Sequence, residues 1–249
     1  MRPPGGPGVG DGLRLDPEAL GAALAEARAG LDEAAARSGR PPGSVELVLA
    51  GKYVPLDQTA VLIEAGVEVV GENRLQDLRA RREAAGERLI FDFIGHLQRK
   101  KAREVIESVR LLHSLDSARL AAAIADRSEG PTRVLVEVNV AGESTKGGIV
   151  PPQLRAFMED VSEHTDLVIG GLMAMPPFQT DAERNRPHFA AVRRMAEDLA
   201  AEWGGRHDLA DLSMGSSQDY LVAAEEGATK VRVGRGILDK ALITSPGTA

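Results

Sequence analysis

Cysteine is absent from the 249-residue chain, so disulfides, thiolate metal sites and cysteine nucleophiles are excluded. The first 12 residues also lack an apolar run and are rich in proline and glycine, which is typical of neither a signal peptide nor a membrane span. The excess of basic charge that a broad nucleic-acid surface needs is missing too, because the net charge is −7. We therefore expect a cytoplasmic protein that binds neither membranes nor nucleic acid.

Metal-ligand patterns are also lacking. The chain has five histidines, none of which has a second histidine at i, i+4 or a carboxylate at ligand spacing, so no metal site is predicted. Two basic runs are present, Arg79 to Arg82 and Arg99 to Arg103. Such runs are typical of solvated helix faces, and we interpret both in that way.

The hydrophobic pattern predicts an α/β fold. From Leu47 onward, short aliphatic runs alternate eight times with segments of helical length that are rich in Ala, Glu and Arg. Eight βα units with right-handed crossovers close into a (β/α)8 TIM-type barrel, whereas a doubly wound sheet usually needs only about five or six strands. The predicted strands are Val45 to Ala50, Val67 to Val70, Leu89 to Ile94, Leu111 to Ser114, Val134 to Val140, Leu167 to Leu172, Asp208 to Ser213 and Lys230 to Val233.

A helix is predicted ahead of the barrel strands. Asp16-Pro17-Glu18 combines a capping acid, a proline at the first helical position and an acid in the first turn. Few residues follow Gly234, which leaves little room for a final helix, so we expect the N-terminal helix to pack outside the barrel near that gap. Residues 1–15 are predicted to be a disordered tail, and residues 16–249 a single barrel domain.

Lys52 follows the first predicted strand, at the end where barrel enzymes place their chemistry. We expect the apolar strand to bury this amine, and burial favours the neutral nucleophilic form that attacks an aldehyde to give a Schiff base. A solvated surface lysine is the alternative. Lys146, in the flexible stretch Gly142 to Gly148, is a second candidate amine, although we expect it to be solvated.

Two segments near the end of the chain are typical of a phosphate site. Ser213 to Ser217 follows the seventh predicted strand and is predicted to open a helix, and Gly234-Arg235-Gly236 follows the eighth. The alternative is that the first segment is an ordinary helix cap and the second a turn, since both would have the same residue pattern. The first and eighth strands are neighbours in a closed barrel, which brings Lys52 near Arg232. An aldehyde that also carries a phosphate is pyridoxal 5'-phosphate (PLP).

The chain resembles the family of pyridoxal phosphate homeostasis proteins, which are related to the barrel domain of alanine racemase. Each motif lies at the C-terminal end of a predicted strand, and their order is more specific than any one of them. The motifs are Lys52, Val70-Gly71-Glu72-Asn73, Ile94-Gly95-His96-Leu97-Gln98, His113-Ser114-Leu115-Asp116-Ser117, Val138-Asn139-Val140, Glu143 to Gly147, Gly171-Leu172-Met173, Leu212-Ser213-Met214-Gly215 with Ser217 and Asp219, and Val231-Arg232-Val233-Gly234.

The resemblance implies that Lys52 holds PLP as a Schiff base, that Asn73 lies beside the cofactor, and that Ser217 and the backbone of 234–236 hold its phosphate. Arg232 would face the pyridine nitrogen and donate to it, because arginine stays protonated. An unprotonated pyridine is a weak electron sink, so no catalytic residue is predicted. The predicted cofactor-binding residues are Lys52, Asn73, Met173, Ser213, Ser217, Arg232, Gly234, Arg235 and Gly236.

The chain departs from the family pattern at several positions. Arg235 stands where threonine is usual, and it either contacts the phosphate or points to solvent. Ser216 and Asp239 replace the usual methionine and glycine, and the pair Arg99 and Lys100 replaces small polar residues.

Three functions fit the sequence. The first is a non-catalytic PLP carrier or buffer that also takes other B6 vitamers, contacts apo PLP enzymes transiently and is a monomer. The second is an amino-acid racemase or decarboxylase, which needs a base opposite the lysine. The only tyrosines are Tyr53 and Tyr220, and Tyr53 adjoins Lys52, where strand geometry would turn it to the other side. The third is a Schiff-base aldolase, which leaves Arg232 without a purpose.

Overall fold

Eight parallel strands close into a barrel in a computed structural model that describes residues 13–244. The strands follow one another around the barrel in chain order, and the last pairs with the first. They are β2 (Glu46–Ala50), β3 (Val69–Glu72), β4 (Ile90–Phe93), β5 (Leu111–Leu115), β6 (Thr132–Val138), β7 (Leu167–Ala174), β8 (Asp211–Ser216) and β9 (Lys230–Val233). The predicted fold class is confirmed.

Side chains that point alternately outward and inward along the strands divide the core into two parts. In β6, Val134 and Val136 belong to the large cluster beneath the surrounding helices. The intervening Leu135 packs with Leu111 and Met173 in a small separate cluster. Because successive side chains of a strand point to opposite faces, this second cluster lies inside the barrel and fills part of its interior.

Helices cover the outside of the barrel. The longest are α1 (Pro17–Arg37) and α7 (Arg186–Trp203), and within residues 13–244 no helix is long and apolar enough to cross a membrane. The others are α2 (Thr59–Glu64), α3 (Leu75–Ala85), α4 (Ala102–Ile106), α5 (Ala118–Ala125), α6 (Leu154–Ser162), α8 (Tyr220–Glu225) and α9 (Arg235–Leu238).

The N-terminal helix α1 packs where the last βα unit is short. The Asp16 carboxylate accepts the Ala19 N–H at 2.7 Å, as the capping pattern predicts. Leu20 and Leu24 on its apolar face are buried, and the helix packs against α2, α8 and α9. Since α9 has only four residues, α1 covers the space that a full final helix would fill, and the predicted placement is confirmed.

The ordered chain starts earlier than predicted. Leu13–Leu15 forms a strand, β1, that pairs antiparallel with β10 (Leu242–Thr244) outside the barrel. The Leu15 N–H also donates to Gln58 Oε1 at 2.7 Å. The prediction that residues 13–15 belong to a disordered tail is therefore wrong, because strands this short show no periodicity in the sequence. The rest of the predicted tail, residues 1–12, lies outside the described residues.

The seventh predicted strand and the helix after it begin later than expected. The strand is β8 (Asp211–Ser216) instead of Asp208 to Ser213, because the Asp208 and Leu209 N–H groups donate to the Ile169 carbonyl from the irregular segment before the strand. Residues 217–219 form a turn whose end, Asp219, accepts the Ser216 N–H at 2.7 Å. Ser217 therefore precedes a helix that starts at Tyr220, and it does not open that helix.

Candidate functional site

Lys52 lies at the carboxyl end of the barrel in a short 3-10 turn, Gly51–Tyr53, directly after β2. The expectation that the strand would bury this amine is wrong, because Lys52 is exposed. Strand geometry does not separate it from Tyr53 either, since Nζ lies 4.9 Å from the centroid of the Tyr53 ring. No carboxylate within residues 13–244 forms an ion pair with Lys52. The amine is therefore accessible to a ligand at the barrel mouth.

A buried arginine donates hydrogen bonds to the turn that carries Lys52. Arg81 is 1% exposed and donates from Nη2 to the carbonyls of Gly51 at 3.2 Å and Val54 at 2.8 Å. Its Nε donates to Glu72 Oε1 at 2.6 Å. The interpretation of Arg79 to Arg82 as a wholly solvated face is wrong at this position. Burial raises the pKa of Glu72 despite the opposing charge of Arg81.

The fit around this ion pair requires glycine at position 51. A Cβ atom on Gly51 would lie 2.4 Å from Glu72 Oε1, which is closer than side-chain atoms approach. Since Arg81 also donates to Thr59 Oγ1 at 3.1 Å, the guanidinium joins β3, the Lys52 turn and α2. The position of Lys52 is therefore set by a buried ion pair that the sequence analysis missed.

Asn73 immediately follows Glu72 at the end of β3. Its Oδ1 atom is buried and has no hydrogen-bond partner in the part of the chain that the structure describes. Buried polar atoms are nearly always paired in folded proteins. An unpaired acceptor at the barrel mouth is what a site for a ligand with a donor group would show.

Arg232 lies on β9, in register with Val48 of the neighbouring β2. Its side chain is buried, with Nη1 donating to the Ser213 carbonyl at 2.7 Å and to Ser213 Oγ at 2.5 Å, and Nη2 donating to the Ala174 carbonyl at 2.9 Å. Burial lowers the pKa of Arg232 to about 10, against the attraction of Glu137 and Asp219. The guanidinium is therefore fixed and still protonated at neutral pH.

A chain of buried side chains continues from Ser213 into the barrel. His113 Nδ1 lies 2.8 Å from Ser213 Oγ, and His113 Nε2 lies 3.1 Å from Asp92 Oδ2. Asp92 also accepts from Arg110 Nη2 at 2.7 Å. His113 and Asp92 are both fully buried. The sequence analysis found no carboxylate companion for the histidines, because Asp92 is on a different strand from His113.

One arrangement of protons gives every hydrogen bond of this buried network a donor and an acceptor. Burial lowers the pKa of His113, so the ring is neutral at pH 7. Burial opposes the charge of Asp92, but hydrogen bonds from His113 and Arg110 hold its pKa below the usual value. A proton on Nε2 is donated to Asp92, and Nδ1 accepts the Ser213 O–H. Ser213 Oγ then accepts from Arg232.

Two further interior residues border this network. Met173, predicted to bind the cofactor, is fully buried in the interior cluster with Leu111 and Leu135. Glu137 of β6 is half-buried, and burial together with the charge of Asp116 raises its pKa, against the attraction of Arg232. Glu137 is an acid near Arg232 that the sequence analysis did not single out.

Two backbone N–H groups converge on one oxygen at the predicted phosphate site. The N–H groups of Gly234 and Gly236 both donate to Ser217 Oγ, each at 3.1 Å. Convergent backbone donors of this kind form anion-binding concavities in proteins. The predicted association of Ser217 with Gly234 and Gly236 is therefore present in the structure, although Ser217 lies in a turn and not at a helix start.

Tyr53 links this cradle to the Lys52 turn. A Cβ atom on Gly234 would lie 2.6 Å from Tyr53 Cδ2, so only glycine leaves the ring in place. The Arg235 guanidinium lies over the same ring, with Cζ 5.6 Å from the centroid. Arg235 is also exposed, so a phosphate contact and a solvent-directed side chain both remain predictions for this residue.

The second candidate amine is already engaged. Lys146 Nζ lies 2.7 Å from Glu143 Oε1 and donates to the Met175 carbonyl at 3.2 Å. The structure thus groups Lys52, Tyr53, Gly234 and Arg235 at one rim, and it groups Ser213 with Arg232 inside the barrel. The assignment of these residues to a cofactor remains a prediction.

Comparison with known proteins defines the class of this barrel. The family described as "Alanine racemase, N-terminal domain" matches residues 50–238. A pyridoxal phosphate homeostasis protein of Aquifex aeolicus is 38% identical over 208 residues, which cover 82% of this chain and 90% of that protein. One from Deinococcus radiodurans is 39% identical over 214 residues, covering 84% and 96% respectively.

A solved structure agrees with these relatives. PipY of Synechococcus elongatus with PLP bound is 29% identical, has a TM-score of 0.75, and is matched over 88% of this chain and 99% of PipY. The chain belongs to the family of pyridoxal phosphate homeostasis proteins, within the broader class of alanine racemase N-terminal barrels.

Proposed function

We propose that this protein binds PLP and carries or buffers it without turning over a substrate. The convergence of the Gly234 and Gly236 N–H groups on Ser217 Oγ, beside the exposed amine of Lys52, is the observation that carries the proposal. PLP supplies an aldehyde that condenses with a primary amine to a Schiff base, and a phosphate that needs several donors. Lys52 provides the amine, and the cradle provides the donors.

The residues around the mouth fit such a ligand. Asn73 Oδ1 is a buried acceptor without a partner, and it follows the strand next to the Lys52 turn. The Ser217 hydroxyl accepts two N–H groups and keeps its own proton to donate to a phosphate oxygen. The donors of the cradle are uncharged, so the phosphate would be held by directed hydrogen bonds and by the nearby Arg235.

Arg232 supports binding without catalysis. Its guanidinium is fixed by Ser213 and Ala174, and it is protonated at neutral pH even with its lowered pKa. Facing a pyridine nitrogen, it would donate a hydrogen bond and leave that nitrogen without a proton. A carbanion on a bound amino acid would then find little stabilisation, so racemisation and decarboxylation are not expected.

The finer expectations from the sequence belong to the same proposal. We propose that the protein acts as a monomeric cytoplasmic barrel of one domain, takes other B6 vitamers as well as PLP, and contacts apo PLP enzymes transiently. The exposed Lys52 suits such an exchange, because a donor enzyme or acceptor enzyme can reach an amine at the rim.

An amino-acid racemase is the second candidate. It is favoured by the match to the alanine racemase N-terminal domain and by the proximity of Tyr53 to Lys52. Incubation of the PLP-loaded protein with amino acids in heavy water separates the two functions. We expect transfer of PLP to an apo enzyme and no α-deuterium exchange. Exchange at an enzyme-like rate that disappears in Lys52→Ala would instead establish the racemase.

A further inference from the structure

A second concave region lies beside the barrel mouth, between the segments that follow β4 and β5. It has a volume of about 640 Å³, which is within the usual range for small-molecule sites. The buried side chains of Leu97 and Leu120 contribute to its lining, and Arg99, Lys100 and Arg119 also line it. An apolar lining that also carries three cations is typical of a site for a small organic anion.

The cations of this pocket lack carboxylate partners. No carboxylate within residues 13–244 lies within 4.0 Å of the side-chain nitrogens of Arg99, Lys100 or Arg119. The chain is acidic overall, with 37 Asp and Glu against 30 Lys and Arg. Three neighbouring unpaired cations are therefore not a consequence of a general shortage of acids.

The carboxylates near the pocket are already engaged. Glu104 pairs with Arg79, and Glu107 pairs with Arg103 at 2.7 Å. Asp116, which itself lines the pocket, lies 2.9 Å from His96 Nδ1 and accepts from Ser117 Oγ at 3.1 Å. The one acid of the pocket is thus occupied on both oxygens, and it holds the exposed His96 ring at the rim.

We propose that this pocket binds a small phosphate monoester with an apolar body, at a site separate from the Ser217 cradle. The phosphate would lie among Arg99, Lys100 and Arg119, because two guanidinium groups and an ammonium supply charge-assisted hydrogen bonds to its oxygens. The apolar body would lie against the small exposed parts of Leu97 and Leu120 and against the aliphatic stems of the lining cations. This site does not depend on the proposed cofactor, since none of its lining residues belongs to the cradle.

Phenyl phosphate is a suitable probe, tested by titration calorimetry on PLP-loaded protein that has been reduced with borohydride. Mass spectrometry of the reduced protein reports the proposed function independently. We expect one saturable site, weakening at high salt, with no binding of phenol. The double variant R99Q/K100Q should bind at least about tenfold more weakly, the loss that corresponds to about 1.4 kcal/mol.

The matched control is R82Q/R194Q, which removes the same charge from two exposed arginines outside the pocket. It should bind phenyl phosphate as the unchanged protein does, and so should Ser217→Ala. Absence of saturable binding, equal losses in the two double variants, or a comparable loss in Ser217→Ala would each overturn the proposal.

Discussion

At the end of the proposed cofactor site where the pyridine would lie, Arg232 is buried and held through Ser213, His113 and Asp92. At the phosphate end, two backbone N–H groups meet one hydroxyl at the rim, and Gly236 is exposed. The first arrangement removes several charged and polar groups from water, so each depends on the others. In the second, Ser217 Oγ accepts from both N–H groups when no ligand is bound.

Because of this difference, mutations at the two ends should affect different properties, the stability of the barrel and the affinity for the phosphate. Changes in the Arg232 network should lower the stability of the barrel, because they leave buried groups unpaired. Changes in the Ser217 cradle should lower affinity for the phosphate and leave the barrel almost as stable as before. A protein that releases its ligand is better served by a rigid interior and a rim whose donors are satisfied in both states.

The largest effect is expected for Asp92→Ala. Removal of this fully buried carboxylate leaves the His113 N–H without its acceptor and Arg110 without one of its two partners. We expect a loss of about 3–5 kcal/mol in the free energy of unfolding by urea. Glu68→Ala, which removes a surface partner of Arg28, is the control and should cost less than about 1 kcal/mol. A similar small loss for Asp92→Ala would show that the network does not stabilise the barrel.

Ser217→Ala, in contrast, should weaken ligand binding more than it lowers the stability of the barrel. We expect PLP binding to weaken by about 1–3 kcal/mol, because a phosphate oxygen loses a donor, while binding of unphosphorylated pyridoxal changes little. The free energy of unfolding should change less than for Asp92→Ala, since water can replace Ser217 Oγ at the exposed Gly236 N–H and only the buried Gly234 N–H loses its acceptor. Fluorescence titration with both vitamers measures the contrast. Equal weakening of both would remove Ser217 from the phosphate site.

The smallest effect is in the pH dependence of stability. The pKa of His113 is lowered in the folded protein, so the unfolded chain binds more protons below its ordinary value of about 6.5. The contribution of His113 to stability should therefore fall as the pH drops from 7 to 5, by less than about 1.4 kcal/mol per pH unit, whereas Glu72 and Glu137, whose pKa values are raised, contribute with the opposite sign.

Variants at the two ends of the proposed cofactor site should differ in the pH dependence of their stability. His113→Asn should lose less stability than the unchanged protein over the same pH range, whereas Ser217→Ala should show the unchanged slope. His207, whose pKa burial lowers to about 4, contributes with the same sign, and the variant His207→Gln corrects for it. An unchanged slope in His113→Asn would contradict a neutral buried ring.

The sequence predicted the barrel well because its signal is repeated. Eight aliphatic runs alternate with helical segments, and errors of a few residues at each boundary do not change the topology. The pairing of β1 with β10 has no such repetition, since each strand has only three residues. The end of the first strand at Ala50 was predicted correctly, but the exposure of Lys52 was not, because the apolar pattern of a strand does not indicate which way the residues after it point.

The site was predicted in part for a similar reason. Lys52, Ser217 and the glycines 234 and 236 follow strands directly, so the fold alone brings them to one end of the barrel. The partners of Arg232 and Lys52 come from other strands and helices. His113 and Asp92 are on neighbouring strands, and Arg81 stands in a basic run that looks solvated. Such pairs depend on register and side-chain direction, which a single sequence does not reveal.

The central claim is that Lys52 forms the Schiff base with PLP, and the modified lysine can be identified directly. The protein is loaded with PLP, reduced with borohydride and digested, and the peptide that carries the pyridoxyl group is sequenced by mass spectrometry. We expect the group on Lys52, and we expect Lys52→Ala to lose the visible absorption band while its unfolding free energy changes by less than about 0.5 kcal/mol. A pyridoxyl group found on Lys146 or Lys230 and never on Lys52 would contradict the account.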